Sequence, residues 1–207
     1  MNGVTIALAK GRLAKKAIEI LNEVDIHFSD LTTDSRKLIF DDNDHKVKVI
    51  LVKADDVATY VEKGAADIGI VGKDTLMEAK ADVYEVLDLG FGKCKFSVAA
   101  QSTDLPSAKQ KLTVATKYPN VAKDFYSKKG IYVETIKLHG SVELAPLIGL
   151  SDVIVDIVES GRTLKENGLK VVEDIADISA RLIVNKASFK TKVESTHELI
   201  EKIRTTL

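Results

Sequence analysis

Short β-rich runs alternate with helical patterns along nearly the whole chain: VTIALA precedes LAKKAIEILNEV, VKVILVK precedes DDVATYVEKG, DIGIVG precedes KDTLMEA, and LTVATK precedes NVAKDFYSKKG. The helical runs place apolar residues three and four apart, as in Leu13, Ala17, Ile18 and Leu21. Strands separated by single helices pair in parallel through crossovers, so this alternation restricts the chain to an α/β fold. Two passages break it. VYEVLDLGFGKCKFSVAAQ, around residues 84–101, and VVEDIADISARLIVN, around 171–185, run from strand to strand with no helix between. They predict a chain that crosses into a second domain and later returns. One lobe then comprises residues 1–94 with 180–207, the other residues 95–179, with a cleft between them. Ligands of such folds gather at clefts and at the carboxyl ends of parallel strands.

The composition fits this reading and removes other classes. With 207 residues, 45% of them hydrophobic and 29% charged, the chain has the make-up of one large or two small globular domains. Its 30 basic residues nearly cancel its 31 acidic ones. A net charge of -1 attracts neither nucleic acid nor anionic membrane in general, so a polyanionic ligand must be held by local arrangement. The single cysteine, Cys94, excludes an internal disulfide and suits a reducing compartment, and between Lys93 and Lys95 it reads as a packing residue. Met1 to Ala9 lacks the basic start and cleavage-type site of a signal peptide, and no apolar run approaches the ~20 residues that span a bilayer. The expectation is a cytoplasmic protein that binds neither membrane nor nucleic acid.

The richest stretch chemically is DIVESGRTL, residues 156–164. A strand there runs into Glu159-Ser160-Gly161-Arg162-Thr163 and then into a helix, which gathers backbone N–H groups, two hydroxyls and a guanidinium in one small space. That set suits a phosphate. Asp156 beside it is odd if phosphate is the only ligand, because like charges repel. It makes sense if sugar hydroxyls donate to the carboxylate next to the phosphate. The pattern points to a ribose-phosphate site; the competing reading is an ordinary strand-turn-helix in which Ser160 and Thr163 only cap. Upstream, a short helix carries Glu143 and a turn contains Gly149. Elsewhere, Lys10-Gly11-Arg12 closes the first strand before a helix, Arg36 lies in DSRKLIF, Lys53 ends the LVK strand, and Asp74 opens the helix after DIGIVG as a ligand contact or a cap. GIVGKD lacks the spacing of a Walker loop, and GFG at 90–92 lacks the third glycine of a dinucleotide fingerprint. The four scattered histidines, His27, His45, His139 and His197, show neither metal-ligand nor triad spacing.

Glu143, Gly149, Ser151, Ile154, Asp156-Ile157, Ser160-Gly161 and Thr163-Leu164 carry, at every fixed position, a signature that resembles that of the ATP phosphoribosyltransferases. The similarity extends through IALAKGRL, LVKADDVATYVEKGAADIGIVGKD and DLGFGKCKFSVA, and so over most of the chain. The resemblance implies a two-lobed fold like that of the type II periplasmic binding proteins. It implies transfer of the phosphoribosyl group of 5-phosphoribosyl 1-diphosphate (PRPP) to N1 of ATP with release of diphosphate, in histidine biosynthesis. Carried over, Glu159 to Thr163 hold the 5-phosphate of PRPP, and Asp156 and Glu143 its ribose hydroxyls. Lys10, Gly11, Lys53 and Asp74 face ATP and diphosphate, with Arg12 and Arg36 as the catalytic cations. Lys53 departs from the arginine that the family often has there, which removes bidentate geometry. Mg2+ is expected as cofactor, bound by the substrate phosphates and not by the protein. The chain length resembles the short form of the family, which implies a regulatory subunit similar to histidyl-tRNA synthetase, in a hetero-octamer, with histidine feedback residing in that partner. A solute-binding module shares the GAADIGIVG pattern but not the phosphate turn.

Overall fold

The structure, a computed structural model, describes residues 3–31, 36–42, 44, 46–102 and 112–207. The chain begins with β1 (Val4–Ala9), α1 (Arg12–Glu23), β2 (Ile39–Asp41), β3 (Val47–Val52), α2 (Val57–Glu62), β4 (Ile68–Gly72), α3 (Lys73–Ala79) and β5 (Tyr84–Asp88). It continues through β6 (Cys94–Ala100), β7 (Leu112–Thr116), α4 (Pro119–Lys128), β8 (Val133–Lys137), α5 (Leu144–Leu147), β9 (Val153–Val158), α6 (Arg162–Glu166) and β10 (Lys170–Ile178). It closes with β11 (Ala180–Val184), α7 (Lys186–Thr191) and α8 (Val193–Arg204). These elements form two compact units, Met1–Gly92 with Ser179–Leu207, and Lys93–Ile178.

Among the described residues, the first unit's sheet has the strand order β2-β3-β1-β4-β11-β5. β1 lies parallel to β3 and β4, while β2 and β11 are antiparallel to their neighbours. Val4, Ile6 and Leu8 of β1 pack on one face with Ala17, Ile20 and Leu21 of α1 and with Leu199, Ile200 and Ile203 of α8. Ala7 and Ala9 face the other way, toward Val57, Ala58 and Val61 of α2. Coverage on both faces is why VTIALA and DIGIVG read as nearly unbroken apolar runs. The smaller residues on the α2 side let that helix come close. A Cβ on Gly69 would stand 2.7 Å from Cγ2 of Val61 and 3.0 Å from Cγ1 of Val57.

The returning segment is fastened by a buried polar knot. Asp67, only 5% exposed, accepts from the Thr5 N–H (2.9 Å), the Ser188 hydroxyl (2.6 Å) and the Lys192 ammonium (2.8 Å). Asn185 caps α7 by accepting from the N–H groups of Ala187 and Ser188, and donates to the Val61 carbonyl at 2.8 Å. A buried carboxylate is tolerable only when its oxygens are satisfied in this way. The two strand-to-strand passages also meet within this unit. Ala180 N–H donates to Phe91 O (2.9 Å), Leu89 N–H donates to Ala180 O (3.0 Å), and the Ser179 hydroxyl donates to Asp88 Oδ1 (2.7 Å).

The second unit's sheet has the order β10-β6-β9-β7-β8, with β7 parallel to β8 and β9, and β6 antiparallel to both β9 and β10. Ala99, Ala115 and Ile154 on one face pack with Ala145 of α5, Leu164 of α6 and Leu169. On β6 the alternate position, Phe96, meets Tyr118 edge-on, with ring centroids 4.8 Å apart. No helix among the described residues is long and apolar enough to cross a membrane.

Candidate active site

In the second unit, β9 is the middle strand and delivers its carboxyl end to a turn of Glu159, Ser160 and Gly161. Gly161 takes φ +69°, a left-handed value that a Cβ would penalise, and the reversal lets α6 begin at once. Arg162 and Thr163 therefore stand in the first turn of α6, whose N–H groups lack intrahelical partners. The Ser160 hydroxyl accepts from the Arg162 N–H at 3.4 Å, and buried Leu164 anchors the helix beneath. The Arg162 side chain, 82% exposed, pairs through Nε with Glu166 Oε1 at 3.2 Å. Asp156 is half-buried, and its Oδ1 accepts from the Ile157 N–H at 2.8 Å.

Glu143, also half-buried, immediately precedes α5 and does not lie within it. The chain leaves β8 at the strand-end side and must cross back to start β9, so Glu143 sets out from the same edge as the Ser160 turn. The loop carrying it holds Ser141 at φ +48°, an uncommon conformation for a residue with a Cβ. Ser151, another signature position, opens the opposite end of β9. It is buried there with its hydroxyl unpaired, and so far from the turn that it belongs to the strand's packing and not to the ligand.

The first unit collects its cations at the corresponding edge of its own sheet. The Lys10 N–H donates to the Val52 carbonyl at 3.0 Å, so Lys10 and Lys53 issue from adjacent strand ends. Gly11 has φ +110° and ψ -146°, with no atom within 4 Å of where a Cβ would stand; the backbone angle requires glycine there, not crowding. Arg12 then opens α1. Arg36 arrives by sheet order: β2 is antiparallel to β3, and the Leu51 N–H donates to the Leu38 carbonyl at 2.8 Å, which leaves Arg36 beyond the end of β3. Lys10, Arg12, Arg36 and Lys53 are all exposed. Asp74 lies in the first turn of α3, folded over Gly72 so closely that a Cβ there would stand 2.1 Å from its Oδ1. Neighbouring Lys73 is committed to Glu85 at 2.5 Å, and Glu85 also takes Arg181 at 3.4 Å.

The structure adds residues beside Asp156 that the motif did not include. Ser97 of β6 stands opposite Asp156 of β9 and, on its other side, opposite Asp174 of β10. Its hydroxyl donates to Asp174 Oδ1 at 2.8 Å, and Lys95 bonds Asp174 Oδ2 at 2.6 Å. These bonds, from Lys95 first and Ser97 second, hold the Asp174 carboxyl below its ordinary value. The one signal in the sequence was a polar residue interrupting the buried run FSVAA.

A family model described as "HisG: ATP phosphoribosyltransferase" matches residues 53–205. An ATP phosphoribosyltransferase of Clostridium botulinum is 57% identical over 206 residues, covering 98% of this chain and 97% of the relative. A solved structure titled as the ATP phosphoribosyl transferase (HisG:HisZ) complex from Thermotoga maritima superposes with a TM-score of 0.85 at 34% identity, covering 98% of this chain and 97% of that one. The periplasmic aliphatic sulphonate binding protein SsuA from Escherichia coli matches with a TM-score of 0.59 at 12% identity, over 98% of this chain and 68% of that one. That last likeness concerns the fold alone.

Proposed function

The chain belongs to the ATP phosphoribosyltransferase family, and from that premise we propose how its residues divide the work. The reaction carries the 5-phosphoribosyl group of PRPP to N1 of the adenine of ATP and releases diphosphate, the first step of histidine biosynthesis. The observation that carries the assignment is the half-buried Asp156 two residues before the end of β9, followed at once by the Ser160-Gly161-Arg162-Thr163 turn. The N–H groups and hydroxyls of that turn hold the 5-phosphate, with Glu159 alongside. Asp156 and Glu143 accept from ribose hydroxyls.

As the bond from C1 to diphosphate stretches, positive charge grows on the ribose and negative charge on the leaving group. Arg12 and Arg36 stabilise the departing diphosphate, and Lys10, the Gly11 backbone and Lys53 bind it and the ATP phosphates. Asp74 accepts from an amino or hydroxyl group of the nucleotide. No protein nucleophile is needed, which agrees with a site of cations, hydroxyls and carboxylates. Among the described residues no group of three or more His, Cys, Asp or Glu side chains gathers to hold a metal. Mg2+ is carried on the substrate phosphates, where it would neutralise charge on the leaving diphosphate.

The Thermotoga maritima relative comes from a HisG:HisZ complex, and this chain pairs in the same way with a regulatory subunit in the cytoplasm. The test is incubation with ATP, PRPP and Mg2+, following the ultraviolet change that accompanies N1 substitution, with and without that subunit. Product and diphosphate in equal amounts are expected. Substrate binding without turnover in either arm would mark a binding module instead.

A further inference from the structure

We propose that Lys117 is a binding residue for the 5-phosphate of PRPP, supplying from the neighbouring strand the cation that the Ser160 turn lacks. This rests on the reading of that turn as the grip on the 5-phosphate. Glu143, Asp156 and Glu159 bring carboxylates to the edge of the sheet where this polyanion is to bind. Against them the turn offers Arg162, whose side chain is 82% exposed and paired with Glu166. Like charges within several ångströms repel, and a cation close by offsets that repulsion. The carboxyl ends of β7, β8 and β9 lie together because these strands are parallel. Lys137 ends β8, where it is exposed and β7 separates it from β9. Lys117 follows β7 directly beside β9 and is half-buried.

The residues on either side fix its place. Thr116, fully buried, donates from its hydroxyl to the Val155 carbonyl at 2.5 Å and accepts from the Tyr118 N–H at 2.8 Å. Thr116 is also the register partner of Val155, so Lys117 leaves β7 at the level where Asp156 follows on β9. The Tyr118 ring meets Phe96 edge-on, and Phe96 stands on β6 opposite Ile157 of β9. β6 and β7 flank β9, two strand spacings or about 9–10 Å apart, so the two rings meet over the end of β9. The Lys117 ammonium lies over the Tyr118 ring, 5.7 Å from its centroid, within the range of a cation–π contact. That seat holds the charge near the strand end from which the phosphate turn departs. Buried Tyr118 shields one side of it from water, where a charge-assisted hydrogen bond is stronger. An ammonium has three N–H donors, so it can serve a phosphate oxygen alongside another acceptor.

The experiment uses the full chain with its regulatory partner and measures KM for PRPP and ATP, with inhibition by ribose 5-phosphate and by diphosphate as separate probes of the two ends of PRPP. Lys117→Met keeps the apolar stem and removes the charge. KM for PRPP and the inhibition constant of ribose 5-phosphate should both rise roughly ten- to a hundredfold, the size of one lost hydrogen bond to a charged group. KM for ATP and inhibition by diphosphate should stay within about twofold. Lys117→Arg, which restores the charge, should recover most of the loss. Unchanged inhibition by ribose 5-phosphate in Lys117→Met would overturn the proposal, and weaker inhibition by diphosphate alone would move the cation to the leaving group. An arginine variant as poor as the methionine one would also overturn it, since packing and not charge would then be at stake. Thr163→Ala separates the two layers: normal inhibition by ribose 5-phosphate there would overturn the reading of the turn, and the proposal with it. Melting temperatures identify a folding loss, and if Lys117→Met does not fold, Lys117→Gln gives the same comparison.

Discussion

Arg162 is the side chain at the phosphate turn whose present partner sets a number. Its guanidinium pairs with Glu166 at 3.2 Å, four residues on, with the two side chains 82% and 67% exposed. An exposed i,i+4 pair is worth about 0.3–0.5 kcal/mol. This one has its cation toward the helix N-terminus and its anion toward the C-terminus, against the helix dipole, and so lies at the weak end. A hydrogen bond to a charged phosphate oxygen is worth about 1.5–3 kcal/mol. The phosphate wins by about 1–2.5 kcal/mol, and Arg162→Ala should weaken PRPP binding roughly five- to seventyfold. Thr163→Ala, whose hydroxyl has no pair to give up among the described residues, should lose about 1.5–3 kcal/mol. Glu166→Ala should do the reverse and tighten PRPP binding about twofold, because Arg162 no longer leaves a partner. Calorimetric titration of PRPP and of ATP against each variant provides the measurement. Equal losses for the two substrates on Arg162→Ala, or weaker PRPP binding on Glu166→Ala, would refute the reasoning.

Three other consequences can be measured. Arg12→Ala or Arg36→Ala should lower kcat by a larger factor than either substrate's affinity, because diphosphate charge is greatest in the transition state; a defect confined to affinity would contradict their role. Tyr126 is 4% exposed with its hydroxyl unpaired, and burial, with Glu173 nearby, pushes its pKa up to about 12. Its folded pKa lies above the unfolded value of 10.0, so its contribution is intact below pH 10 and is lost as pH rises toward 12. Tyr126→Phe should flatten that alkaline decline and raise stability near neutrality by about 1 kcal/mol in chemical denaturation; an unchanged alkaline slope would contradict this. Gly69→Ala should cost about 1–3 kcal/mol by forcing α2 off the sheet, seen as a melting temperature lower by at least about 2 °C.

The α/β class was legible because each crossover helix follows its strand within a few residues, and a nearly unbroken apolar run gives way to a 3.6 period inside a window of about twenty residues. The two passages that interrupt the alternation were legible for the same reason: GFG and ISA leave no room for a helix. Strand order was not. Nothing in VTIALA says that it lies between VKVILV and IGIVG and not at an edge, since all three are apolar runs of similar length. The order follows from which faces the helices can cover. Ala7 opposite Gly69, with Ile183 on the far side, makes the shallow bed into which α2 fits. That bed exists only once three strands from distant parts of the chain are paired.

The phosphate turn was legible because its strand, glycine and hydroxyls are contiguous, so local geometry alone brings them together. Arg36 could be placed only by antiparallel pairing of a three-residue strand, a signal too short for periodicity to show. Ser97 and Asp174 lie 77 residues apart and meet through register across β6 and β10. The pairing of Arg162 with Glu166, by contrast, was available from spacing alone and changes how the turn works. Glu159 and Glu166 offset Arg162 and Lys165, so the stretch 159–166 carries no net positive charge. A phosphate is therefore not drawn to this turn by charge excess. Its hold must come from short-range N–H and hydroxyl donors around Gly161, where close backbone approach requires a residue without a side chain. Directional contacts of this kind also offset the repulsion between a phosphate and Asp156 beside it, because the donors act at contact on the phosphate oxygens while the carboxylate accepts from the neighbouring hydroxyls.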